Sequence, residues 1–329
     1  MAARLTVAEL VDRGDLDELL RRVDGFCDAG DWAGLLDLRD RARTAFYERG
    51  IQLWPAASHA EYRLALQAPG PWAAAVIAPG AGRFALGPLS EVAASTHTWD
   101  ELATHLPPGA PEAALIAQER VVRGEDLRDD GRVDALLTEL PLALQPWEPA
   151  YPVAVYQPYT AEFADVPAPP MHEVEVAAAP ALDDPDATHA LVELVTPWTT
   201  QSNGRVAAVA VEGDAAGAVG AVAGIGDRAR LAEVDAAHAL AVLAWAGASG
   251  GAHGRRRGMA QGRFTAWWTA AALAGALDDW PDEVADALTE LRWYRWDRLE
   301  PSSGWALRLA AEHPEDGRAW AVEATDSIA

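Results

Sequence analysis

Eleven of the 22 prolines fall between Pro141 and Pro197, and that crowding sets the first limit on the fold. Proline fixes φ and removes a backbone donor, so no regular helix can run through Pro141, Pro146, Pro149 and Pro152. Trp147, Tyr151, Tyr156 and Tyr159 share this stretch, and aromatic side chains of that size normally pack. We therefore read 141–187 as an ordered, acidic connection lying over a domain surface. A mainly helical domain over 1–140 precedes it and an α+β domain over 188–329 follows; a chain of 329 residues has room for two cores.

Before the prolines, apolar positions recur at helical spacing. Trp32, Leu35, Leu36, Leu38, Ala42, Ala45 and Phe46 make one stripe, with Asp31 placed to cap its start and Gly50 to stop it. Leu16, Leu19, Leu20, Val23 and Phe26 make another, and each stripe follows a Gly-Asp pair, Gly14-Asp15 and Gly30-Asp31. Two such units suggest helical-repeat character, although no third copy follows. Further helices are expected over 57–67, 99–105, 111–123 and 133–140.

Past residue 188 strands and helices mix. Segments 206–212 and 218–223 flank a Gly-rich turn and suggest a hairpin, and 230–235 alternates like another strand. Helices are expected over 236–245, 259–277 and 281–291. His313-Pro-Glu-Asp-Gly317 stands between two half-apolar runs, 305–312 and 318–325, and is the strongest hairpin signal in the chain, with 292–298 a third strand beside it. The reading is α+β with an antiparallel sheet, without the βαβ alternation of a nucleotide-binding fold.

Charge removes several functions. The 26 basic residues are all arginine, against 50 acids, for a formal charge of −24. Without lysine there is no Schiff base and no Walker A lysine. The acidic balance disfavours duplex nucleic acid and anionic membranes as partners. Together with abundant Ala, Gly and Pro, the missing lysine reads as codon bias of a high-GC bacterial genome. Cys27 is the single cysteine, so no intrachain disulfide or multi-cysteine zinc site can form. The first residues lack a secretory apolar run, and the apolar stretches near 236–247 and 265–277 are too short for a bilayer, so the cytoplasm is expected. No histidine pair has metal-ligand spacing, and Gly80-Ala-Gly82 and 217–226 lack the dinucleotide fingerprint; neither metal nor cofactor is expected.

One segment breaks the acidic pattern. The 42 residues between Asp235 and Asp278 contain no acid, and within them 249–263 carries His253, Arg255, Arg256, Arg257 and Arg263 among five glycines. Flexible backbone, guanidinium forks and a helix starting near Gly258 suit phosphate or carboxylate. The same cations also suit docking on an acidic surface, and 141–200 offers nine carboxylates with no competing cation. These five residues are the candidate site of a binding or interaction protein. Its partner is an acidic protein surface, of its own chain or another subunit, or a small phosphorylated ligand; a homo-oligomer is left open. The alternative is an enzyme acting on a phosphate-bearing substrate at this loop, or a serine hydrolase through Ser249. Gly247-Ala-Ser249-Gly-Gly251 fits G-x-S-x-G, with His313 downstream, but the Ala-rich lead-in favours helix over the required strand. Trp267, Trp268, Trp293, Trp296 and Trp305 are expected to pack in the core.

Overall fold

The Gly-Asp pairs act as two-sided joints. Helix α1 (Val7–Arg13) ends on Gly14, whose φ of 68° lets its N–H reach back to the carbonyls of Leu10 and Val11. The next residue, Asp15, caps α2 (Leu16–Ala29) by accepting the Glu18 N–H at 3.1 Å. Gly30 and Asp31 repeat the arrangement, with Asp31 accepting the Gly34 N–H at 2.9 Å to open α3 (Trp32–Arg49). One residue ends a helix and its neighbour starts the next, so three helices follow with almost no loop.

The computed structural model describes residues 5–133, 139–222, 224–300 and 304–327, and the fold is α+β with a helical first part. The chain forms two compact units, Met1–Thr138 with Ala154–Phe163, and Glu139–Val153 with Ala164–Ala329. The Pro-rich stretch is thus shared between them. The expected helix over 133–140 falls mostly outside the described residues. Among those described, no helix is long and apolar enough to cross a membrane.

The first unit continues with α4 (Trp54–Gln67), α5 (Gly70–Ala74), α6 (Leu89–Thr96), α7 (Trp99–Ala103) and α8 (Pro111–Val121), then a hairpin of β1 (Ala154–Tyr156) and β2 (Ala161–Phe163). Leu10, Leu19, Val23, Leu35, Leu38 and Leu64 are buried in its core. Those from α2 and α3 belong to the stripes read from the sequence.

The second unit contains β3 (His172–Glu175), α9 (Pro185–Leu194), α10 (Thr196–Thr200), β4 (Arg205–Glu212), α11 (Ala215–Ala221), β5 (Arg228–Val234) and α12 (Ala236–Ala248). It ends with α13 (Met259–Ala274), α14 (Val284–Glu290), β6 (Arg292–Asp297), β7 (Trp305–His313) and β8 (Arg318–Asp326). Six strands form one antiparallel sheet in the order β3-β5-β6-β7-β8-β4. The β7–β8 hairpin and β6 beside it lie where the turn signal placed them. Alternation along β8 sorts the two faces: Ala319 and Ala321 pack in the cluster containing α11, while Trp320 between them donates from Nε1 to Asp184 Oδ2 at 2.9 Å, at the cap of α9. Trp198, Trp267, Trp293, Trp296 and Trp320 are among the largest fully buried side chains.

The hairpin expected from 206–223 needs correction. β4 is a strand, but it pairs with β8, and the second half is α11. Asp214 accepts the Gly217 N–H at 2.8 Å and starts the helix. Its small residues then allow close packing: a Cβ on Gly220 would stand 2.6–2.9 Å from the Ala177 backbone. Val219, Ala218 and Val222 are buried on the sheet face. A short run of Ala, Val and Gly satisfies either period, and the cap decides for helix.

Candidate functional site

The acid-free window folds as a helical hairpin, α12 and α13, with 249–258 as its loop. The two helices meet at glycines: a Cβ on Gly262 would fall 2.3 Å from the Ala244 carbonyl oxygen, and one on Gly247 would fall 2.1 Å from Thr265 Oγ1. Two glycines of this region therefore allow helix contact.

Backbone donors of the loop are held one by one. Ser249 Oγ accepts the Gly251 N–H at 3.0 Å, Asp326 Oδ2 the Ala252 N–H at 2.6 Å and Ser202 Oγ the His253 N–H at 3.1 Å. Gln201 Oε1 takes the Arg255 N–H at 3.1 Å, and the Ala248 carbonyl takes the Arg257 N–H at 2.8 Å. Asp326 is buried on the last strand, so a carboxylate more than seventy positions away in the chain organises the loop. No local pattern reveals that partner.

The arginines have different destinations. Arg263 is completely buried and meets the equally buried Glu148 through two parallel bonds of 2.7 Å, Nε to Oε2 and Nη2 to Oε1. Its Nη1 donates to the Pro141 carbonyl at 2.9 Å, and its guanidinium carbon stands 5.3 Å from the Trp267 ring centre. Glu148 also accepts Trp267 Nε1 at 3.0 Å and the Tyr151 hydroxyl at 2.5 Å. Burial, and then the Glu148 charge, push the Tyr151 hydroxyl pKa well above its ordinary value. Such a pair is tolerable in the interior because backbone carbonyls, an indole N–H and a phenol hydroxyl add hydrogen bonds to the two charged groups. The acidic 141–200 stretch thus supplies the carboxylate for Arg263.

Arg257 works on helix ends. Its Nε donates to the Gly247 carbonyl at 2.7 Å and its Nη2 to the Leu194 carbonyl at 2.5 Å, so one cation closes the last turns of α12 and α9. Burial lowers its pKa from the usual guanidinium range. His253 and Arg255 are exposed and Arg256 is partly buried. Gly258, Met259 and Ala260 are buried, so the start of α13 faces protein.

Ser249 follows a helix, is 2 % exposed and uses its hydroxyl to accept the Gly251 N–H. The strand-to-helix turn that lifts a hydrolase nucleophile into solvent does not occur there. His313 ends β7, with Glu290 and Asp316 around its ring.

The first unit holds two features that the sequence reading did not single out. Arg63, buried on α4, donates to Asp24 Oδ1 at 2.6 Å, and Tyr159 also donates to Asp24. His59 stacks on Tyr159 with ring centres 5.6 Å apart; burial first, then the Arg63 charge, lowers its pKa. The second feature is an open groove of about 330 Å³ lined by Arg43, Trp54, Arg83 and Phe84 with Phe46 and Tyr47. Gly80-Ala-Gly82 lies in the loop between α5 and α6 that also carries Arg83 and Phe84.

Among the described residues no group of three or more His, Cys, Asp or Glu is placed to hold a metal. An α+β protein with a pinned cationic loop and an aromatic groove is the class that fold and side chains define. The chain belongs to a family of unknown function, DUF6183, which matches it over residues 17–327. No curated protein and no solved structure matches the chain.

Proposed function

We propose that this chain is a cytoplasmic binding protein that presents Arg255, flanked by His253 and Arg256, to an acidic protein surface. The observation carrying this reading is the division of labour in the loop. Its backbone is fixed by five acceptors, and Arg257 and Arg263 bond inward, while His253 and Arg255 are exposed. A loop already fixed before contact loses little entropy on binding. Exposed guanidinium on a chain of charge −24 favours a carboxylate-bearing partner by local complementarity.

Binding of a labelled polyglutamate peptide, followed by fluorescence anisotropy at low and high salt, tests the reading. Salt-sensitive binding weakened by Arg255→Gln is expected. Binding untouched by Arg255→Gln contradicts it, and competition by inorganic phosphate alone favours the phosphorylated-ligand alternative.

A further inference from the structure

The groove of the first unit is a built site in which a cation and aromatic surface stand together. Its base is fixed by Glu61, whose side chain is 2 % exposed. Arg43 Nε reaches Glu61 Oε1 at 2.6 Å, tying α3 to α4, and the Gly82 N–H donates to Glu61 Oε2 at 2.8 Å. Two residues on, the Phe84 N–H donates to Ser58 Oγ at 3.0 Å. The loop carrying Arg83 and Phe84 is therefore fastened at two points to α4, and the groove's shape exists before any ligand arrives.

The walls are aromatic and remain in contact with water. Trp54 and Phe84 lie against each other with ring centres 3.5 Å apart and planes 31° apart. Phe46 and Tyr47 meet edge to face at 5.6 Å on the last turn of α3. Phe84 is 51 % exposed and Tyr47 80 %, although rings of this size gain most when covered. The guanidinium carbon of Arg83 stands 5.5 Å from the Phe84 ring centre. In a chain with nearly two acids per base, no carboxylate among the described residues lies within 4.0 Å of Arg83. Arg43 and Arg83 against the single Glu61 leave the groove net positive on a strongly negative molecule.

We propose that this groove binds a small planar aromatic anion, a ring carrying a carboxylate or a phosphate. The ring covers Tyr47 and the Trp54–Phe84 pair, and the anion meets the guanidinium of Arg83 beside that of Arg43. A volume near 330 Å³ fits a ligand of this size and lies at the lower end of small-molecule sites. The site belongs to the first unit alone and is independent of the loop at Arg255.

Isothermal titration of the full chain tests it with four probes. Adenosine monophosphate and indole-3-acetate carry ring and anion together, as phosphate and carboxylate; adenosine and inorganic phosphate carry one part each. The expected result is saturable one-site binding of at least one ring-bearing anion, with each single-part probe weaker by about tenfold or more. The stronger of the two anions identifies the acid group. Arg83→Gln is expected to weaken that binding by about tenfold with an unchanged melting curve, and Arg255→Gln to leave it unchanged. No saturable binding of either anion overturns the proposal. So does phosphate binding as tightly as the nucleotide, or affinity that survives both Arg83→Gln and Tyr47→Ala. Loss on Arg255→Gln with retention on Arg83→Gln moves the ligand to the loop and equally refutes the groove.

Discussion

Arg263 and Arg83 are the same residue type in glycine-containing segments of one lysine-free chain, and they lead opposite lives. Arg263 is wholly buried and forked onto Glu148, with backbone carbonyls and an indole ring filling its remaining contacts. Arg83 is exposed, has no carboxylate in ion-pair range among the described residues, and lies over a ring that is itself half open to solvent. The difference shows how a positive segment in an acidic protein should be read. A buried arginine within a basic segment is no sign of a ligand when an acid-rich, cation-free segment of the same chain supplies its counter-charge, as Glu148 does for Arg263. A solitary arginine beside exposed aromatics, with no counter-charge, says more about recognition.

The largest effects should come from the buried pair. Glu148→Gln leaves Arg263 charged and incompletely paired in the interior, at an expected cost of about 3–5 kcal/mol. Replacing both partners together, Glu148→Leu with Arg263→Met, should recover most of that loss in urea unfolding. A double variant as unstable as the single one would show that the pair does more than neutralise itself.

Arg257 lies between the two extremes, because it is only partly buried and its acceptors are neutral carbonyls. Arg257→Gln should cost about 1.5–3 kcal/mol, the range for hydrogen bonds to a charged group. Amide exchange should quicken first at the last turns of α9 and α12. Unchanged exchange there would remove the capping role.

A smaller effect separates paired from unpaired arginines by pH. Burial raises the Glu323 pKa, but hydrogen bonds from Arg298 and Arg308 outweigh it and hold the group below its ordinary value. Because the folded pKa lies below the unfolded one, this contribution is complete above about pH 4.3 and fades as pH falls through the folded value. Wild type should therefore lose more stability than Glu323→Gln on acidification below about pH 4.3, measured by urea unfolding. Parallel losses in the two proteins would contradict the linkage.

Much of the architecture was legible because it is local. Asp31 as a cap, Gly50 as a stop, the repeated Gly-Asp pairs and the turn at 313–317 mark their elements within a few residues. The segment 215–221 was misread because Ala, Gly and Val carry little periodic signal; the deciding group was the carboxylate of Asp214. The 249–263 segment was visible as an anomaly, but the partners of its backbone and of Arg257 and Arg263 come from Asp326, Gln201, Leu194 and Glu148. Such long-range partners leave no trace in spacing. The groove escaped for a related reason: Arg43, Trp54 and Arg83 lie on separate elements and share no motif.

On the proposed division, inward arginines hold this fold and the exposed Arg83 adds little to its stability. Urea unfolding of Arg263→Gln and Arg83→Gln, measured side by side with wild type, tests it most directly. A loss of about 3–5 kcal/mol is expected for Arg263→Gln and a change within about 0.5 kcal/mol for Arg83→Gln. Comparable losses from the two substitutions would contradict it.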